Sequence, residues 1–188
     1  MIADQQLSDH FSLYELTQTT QADLQELNRT LTDELIEKGR QLAKNDDPLQ
    51  GLECARALVI AAGGTCLFTN SAYRCPKVNG GSPGSSSTSQ HVSFEAFDGH
   101  VPNQTIDETF LILLTAARAG KFKFGQLIIE SADRGYKSAD GTEAISRWVH
   151  FSLIGTLNPA HVGQVMKATW NAGAAKFDYV RIDQIKFA

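Results

Sequence analysis

Apolar and polar positions change rhythm along this chain. In the N-terminal third, leucines recur at Leu24, Leu27, Leu31, Leu35 and Leu42, at steps of three, four and seven, while Glu26, Arg29, Asp33, Glu37 and Lys38 lie mostly off the stripe. That period predicts one long amphipathic helix over 24–42. Ser12 and Glu15 have the S-x-x-E spacing of a capping box and start a shorter helix before it. After Asn45-Asp46-Asp47-Pro48, a second helix is expected over about 49–62, stopped by Gly63-Gly64. The texture then shifts to strand over 65–73, with a turn at Cys75-Pro76. Residues 80–89 form a Gly/Ser run too poor in apolar side chains to pack a core. A plain linker would lead into a second domain, but here a short strand candidate, 91–98, follows at once, so an active-site loop is the better account. Thr105 and Glu108 form another capping box and open a third helix over 105–119. Short strands at 126–130 and 147–153 flank a polar stretch, 131–146, expected to be a long hairpin loop. Asn158-Pro159 is expected to open a fourth helix, and 176–185 a closing strand.

Helices gathered early and strands clustered later imply an α+β fold: a small antiparallel sheet with helices packed on one face. We expect a single domain over 1–188, with a helical part at 1–62, a core at 63–155, and a helix and strand at 156–188.

Composition adds exclusions. With 188 residues, 42% of them hydrophobic, the chain can bury about 70% of its unfolded surface and needs no disulfide or metal merely to fold. Lys+Arg 17 against Asp+Glu 21 gives a net charge of −4 with no basic block, which argues against nucleic acid as a partner. The longest apolar run, 110–117, stops at Arg118, short of the roughly 20 residues that span a bilayer. The N-terminus has neither the basic start nor the apolar stretch of a Sec signal peptide. Cys54, Cys66 and Cys75 are odd in number and lack CxxC spacing, as expected of reduced cysteines, with a Cys66–Cys75 bridge left open.

Of the histidines, His91, His100 and His150 lie in or beside apolar strands, while His10 and His161, near helix starts, look like surface residues. A catalytic zinc takes three protein ligands and keeps one position for water, and a carboxylate can complete a histidine pair. His91 and Asp98 are seven apart, which on an ideal strand puts them on opposite faces. Joint ligation therefore requires a bulge or turn between them, with His150 arriving from a distant strand. Spacing alone leaves packed, hydrogen-bonded histidines and metal ligands both open.

The surrounding residues say more. Ser89-Gln90-His91-Val92-Ser93-Phe94-Glu95-Ala96-Phe97-Asp98 resembles the S-x-H-x-x-G-x-A-x-D signature of the zinc D-alanyl-D-alanine carboxypeptidases and phage peptidoglycan endopeptidases. Ser71-Ala72-Tyr73-Arg74-Cys75-Pro76 is similar to that family's S-G-Y-R-S-P segment, Asn79-Gly80-Gly81 is familiar from it, and Trp148-Val149-His150-Phe151-Ser152 is similar to its W-V-H-x-S strand. LSDHFSLYEL, 7–16, looks like the opening of the phage-associated branch. The resemblance spans roughly 7–155. It implies the fold shared with the Hedgehog signalling domain and one zinc per chain held by His91, Asp98 and His150. Arg74 would orient the substrate and stabilise developing negative charge, while Ser89 and Gln90 would line the cleft. Trp148 either packs within its strand or walls that cleft. The implied activity is zinc-dependent hydrolysis of peptide bonds in peptidoglycan stem peptides or cross-links, by a carboxypeptidase or an endolysin-like endopeptidase. The implied route is synthesis in the cytoplasm, then delivery to the cell wall at lysis or on a virion.

The chain departs from the pattern. Phe94 stands where the family has a glycine, the Gly/Ser loop is longer than usual, and Arg147 replaces the acidic base three residues before the last histidine. An arginine cannot accept a proton. Glu130, ending Gln126-Leu127-Ile128-Ile129-Glu130, resembles the end of the Q-L-I-x-E strand of the phage-associated branch and is the substitute base, unless it is a strand-end glutamate facing solvent. Glu143 and Asp133 are further candidates, and His100 is either a partner of the ligands or an accident of the turn. Phe94 and Arg147 favour the rival function, a non-catalytic virion or wall-binding protein that retains the fold.

Overall fold

The computed structural model describes residues 4–82, 85–137, 143–155 and 159–187, with the backbone alone at 132–137, 143–146 and 159. Helix α1 (Leu13–Leu16) opens as expected, the Ser12 side chain accepting from the Glu15 amide. The long helix expected over 24–42 is broken. A 3₁₀ turn (Ala22–Leu24) runs into α2 (Gln25–Asn28), and α3 (Asp33–Ala43) starts afresh with Thr32 as its cap. The break has a cause in Asn28, whose buried amide donates to the Thr17 and Tyr73 carbonyls at 2.8 and 3.1 Å and accepts from the Cys75 amide at 2.7 Å. Those bonds turn α2 toward the segment carrying Arg74. The leucine stripe accordingly does not bury one face: Leu42 is fully buried, but Leu27 is exposed.

Helix α4 (Gly51–Ala61) ends before Gly63, which adopts a φ of +87°. Pro76 does not merely turn the chain but starts a short helix, α5 (Pro76–Gly80), since a proline fits the first helical turn. Helix α6 (Ile106–Arg118) has both halves of the Thr105–Glu108 capping box.

The strands are β1 (Phe68–Ser71), β2 (Ala96–His100), β3 (Gln126–Lys137), β4 (Glu143–Ser152), β5 (Gln164–Asn171) and β6 (Lys176–Gln184). They form one six-stranded sheet in the order β1-β2-β4-β3-β5-β6. The α+β class holds, but the sheet is mixed: β3 and β5 are parallel and the other pairs antiparallel. The stretch 131–146 is mostly ladder rather than loop, with β3 and β4 paired as far as Lys137 and Glu143.

The expected C-terminal helix is replaced by a strand. Asn158 lies outside the described residues, and Pro159–His161 makes only a 3₁₀ turn. Gly163, at φ +71°, then redirects the chain into β5. Val165, Thr169 and Trp170 suit a strand, and β5 has a hydrogen-bonded neighbour on both sides, which overrides the helical start signal.

The apolar core lies between the helices and one sheet face. Phe97, Leu127, Val149, Phe151 and Val165 project into it, against Leu52, Val59 and Leu113 from the helices. Strand alternation sends the intervening residues to the other face.

One turn decides where His91 goes. The expected strand 91–98 is a strand only from Ala96 onward. Before it, the Phe94 amide donates to the His91 carbonyl at 3.3 Å, the Glu95 amide to the Gln90 carbonyl at 2.9 Å, and Phe94 adopts a φ of +60°. Left-handed backbone costs a residue with a Cβ about 1–2 kcal/mol. Full burial of the phenyl ring, about 2–3 kcal/mol, offsets it. The ring lies 5.1 Å from that of Tyr73 and against α3, where a Cβ on Gly39 would sit 2.8 Å from Phe94 Cε1. Gly39 therefore serves space rather than backbone freedom.

Gly39→Ala should lower the melting temperature even though alanine improves helix propensity by about 1 kcal/mol. In a double-mutant cycle with Phe94→Leu, the two changes should be less harmful together than their sum by about 0.5–3 kcal/mol. Simple additivity would contradict the packing described.

Candidate metal centre

Asp98 is at the middle of β2 and directly opposite His150 of β4. The turn ending at Phe94 brings His91 back to the same carboxylate, satisfying the requirement set by their odd spacing. His150 Nδ1 lies 2.8 Å from Asp98 Oδ1, His91 Nε2 3.2 Å from Oδ2, and Arg74 Nη2 donates to Oδ2 at 3.3 Å. His91, Asp98 and His150 are all buried, and one ligand atom from each lies within 4.8 Å of the others.

The His91 ring is set by its other nitrogen. Nδ1 is 2.6 Å from the Ala72 carbonyl and can only donate to it, which leaves the Nε2 lone pair for the site. Burial pushes His91 down to about 4, against the pull of the Asp98 charge, and so favours the neutral form of the ring. Burial also works against charge on Asp98, but His91 and the hydrogen bond from His150 outweigh it and hold the carboxyl well below its ordinary range. His150 moves up: burial opposes its charge, and the Asp98 hydrogen bond and the charges of Asp98 and Glu130 outweigh that.

The donors fit a zinc ion. His91 Nε2 and His150 Nε2 are buried without a hydrogen-bond partner, as are Arg74 Nε and Trp148 Nε1 beside them. Buried polar atoms are mostly paired, so two imidazole nitrogens left without partners on either side of one carboxylate point to a cation. Two imidazoles and a carboxylate are a set that binds zinc with a position to spare.

The cluster opens into a cavity of about 470 Å³. Arg74, Ser89, Gln90, Glu130 and Trp148, all singled out from the sequence, line it with the three candidate ligands. The Gly/Ser loop supplies Ser85, Ser86 and Thr88, as expected of an active-site loop. It is fastened by Asn79, whose side chain donates to the Ser86 carbonyl at 2.8 Å, and by Gln90, which donates to Ser152 Oγ at 2.9 Å.

Strand parity sorts the acid and base candidates. Trp148 and His150 face the cavity, so Arg147 faces away and makes a two-pronged ion pair with Asp107 on α6, at 2.6 and 3.0 Å. Glu130 is directly opposite Trp148, buried, and on the cavity side of β3. It is not the solvent-facing glutamate that the sequence left open. The side chains of Asp133 and Glu143 lie outside the described residues. His100 does not line the cavity. Its Nδ1 is 2.9 Å from Asn70 Oδ1 and its ring lies 5.2 Å from that of Phe68.

Sequence reasoning missed one side of the cavity. His161, taken for a surface residue, lines it, as do Gln164 and Met166 of β5 and Phe177 and Tyr179 of β6. The alternation Phe177-x-Tyr179 on the closing strand was the available signal, and the expected helix over β5 obscured its partner.

A mixed sheet that brings a His–Asp–His cluster to the floor of a cavity defines a candidate metal-dependent hydrolase. The chain matches the family model described as Peptidase M15 over residues 10–131, well over half its length, and it belongs to that zinc-dependent peptidase family. The match includes Arg74, His91, Asp98 and Glu130. His150 lies beyond it and joins the cluster through the β2–β4 ladder. No curated protein and no solved structure matches the chain. No helix among the described residues is long and apolar enough to cross a membrane.

Elemental analysis of protein reloaded with zinc and dialysed should give about one zinc per chain, and less than about a tenth of that for His91→Ala or His150→Ala. Full zinc content in either variant would contradict the ligand set.

Proposed function

We propose that the protein is a zinc-dependent peptidase that cleaves peptide bonds in peptidoglycan stem peptides or cross-links. The observation that carries this reading is the buried His91–Asp98–His150 cluster sharing one cavity with the buried carboxylate of Glu130. The motifs around residues 71–76, 89–98 and 148–152 support peptidoglycan as the substrate. They also support a lytic or virion-borne role, with the enzyme made in the cytoplasm and reaching the wall at lysis or on a particle.

Zinc, when bound, supplies an acidified water and polarises the scissile carbonyl. Glu130 takes the proton of the attacking water and passes it to the departing amine. Arg74 steadies Asp98 through Nη2, and its remaining donors serve the substrate's oxygens. Ser89 and Gln90 offer hydrogen-bonding groups along the rim, and Trp148 walls the cleft. The features that favoured a non-catalytic wall-binding protein have other accounts: Phe94 makes the turn that a glycine would make, and Arg147 is engaged on the opposite face.

Glu130→Gln should bind zinc as the wild type does, yet release free amino groups from purified peptidoglycan about 10²–10⁴ times more slowly. Undiminished cleavage with the same zinc content would overturn the assignment of the base. Arg147→Ala should cleave within about twofold of wild type and lose no more than about 1 kcal/mol of stability, since its ion pair is largely solvated.

A further inference from the structure

Strands β5 and β6 lie beyond the segment that matches the family, yet they complete the cavity. Their register makes a row of directly opposed residues across four strands: Trp148 on β4, Glu130 on β3, Ala168 on β5 and Tyr179 on β6. Opposed residues on neighbouring strands put their side chains on the same face. Between Tyr179 and Glu130 the row holds only Ala168, a buried residue whose side chain ends at one methyl. Neighbouring strands are about 4.8 Å apart, so about 10 Å separates the two backbones, and both side chains line the same cavity across that gap.

The electrostatics agree with this placement. Burial first, then the charges of Glu130 and Asp98, push the Tyr179 phenol above its ordinary value, with Arg74 acting the other way. The hydroxyl thus senses three groups that surround the metal centre and keeps its proton at any working pH. Its ring is reachable from solvent and is backed by Phe177, whose ring lies 6.2 Å away and packs edge-on against Trp148 at 6.0 Å.

On the peptidase reading, we propose that Tyr179 is a catalytic hydrogen-bond donor that holds the scissile carbonyl oxygen as negative charge develops on it. The water oxygen bonds to the carbonyl carbon, its proton passes to Glu130, and the carbonyl π pair moves onto oxygen, where the Tyr179 hydroxyl donates. That pair returns as the C–N bond breaks, and Glu130 delivers its proton to the amine. Tyr179 itself exchanges no proton.

The test compares wild type and Tyr179→Phe, both loaded with zinc. The variant should keep its zinc and its KM within about twofold and lose about 100-fold in kcat. A phosphinate peptide, whose tetrahedral phosphorus oxygens stand in for the attacked carbonyl, reads the same contact without turnover. By calorimetry it should bind wild type about 100-fold more tightly than the variant. A raised KM with unchanged kcat would reduce Tyr179 to a wall of the cleft, and equal phosphinate affinities would remove the proposed bond; either overturns the proposal. Absence of cleavage by the wild type would count against the peptidase reading, while the phosphinate comparison still decides the role of Tyr179.

Discussion

Asp98 carries a negative charge while almost wholly buried, and the arrangement of the chain around it follows from that. An unpaired carboxylate so buried would cost several kcal/mol. Here His150 pairs with one oxygen and Arg74 with the other, while the unpaired Nε2 of His91 lies 3.2 Å from the second. These partners come from three separate segments: the chain after β1, the turn before β2, and β4. Each must be delivered to the same carboxylate, so the β2–β4 ladder, the left-handed turn at Phe94 and the Asn28 bonds that anchor residues 73–75 are parts of one requirement.

That requirement explains why the helical layer matters to the site. The turn before β2 stands because the Phe94 ring has a slot, and the slot exists because α3 has a glycine at position 39. Phe94 stands where the resemblance implied a glycine, and the room its ring needs comes from the missing side chain of Gly39 on α3. Likewise an arginine at position 147, where the resemblance implied an acidic residue, does not empty the site of a carboxylate. The residue three before His150 is on the far face of β4, whereas Glu130 is on the near face of the adjoining strand.

Much of this was legible in the sequence. The helix opened by Thr105, the strands that carry Glu130 and His150, the Gly/Ser loop beside the site, and the residues around His91, Asp98 and His150 all carry local signals that survive folding, although β3 runs on past Glu130 to Lys137. What could not be read depends on contacts between distant segments. The leucine stripe predicts a continuous helix, but Asn28 finds better partners at Thr17, Tyr73 and Cys75. The signal at Asn158-Pro159 predicts a helix, but strands on both sides claim 164–171. That second error hid the wall formed by Gln164, Met166, Phe177 and Tyr179, so the cavity has a side that motif reasoning never reached.

The central claim is that His91, Asp98 and His150 hold one zinc, and the X-ray absorption spectrum of the zinc-loaded protein at the zinc edge tests it most directly. The account predicts a coordination shell of nitrogen and oxygen at about 2.0–2.2 Å, with the outer-shell scattering of two imidazole rings. Sulfur at about 2.3 Å, or scattering from fewer than two imidazoles, would contradict it.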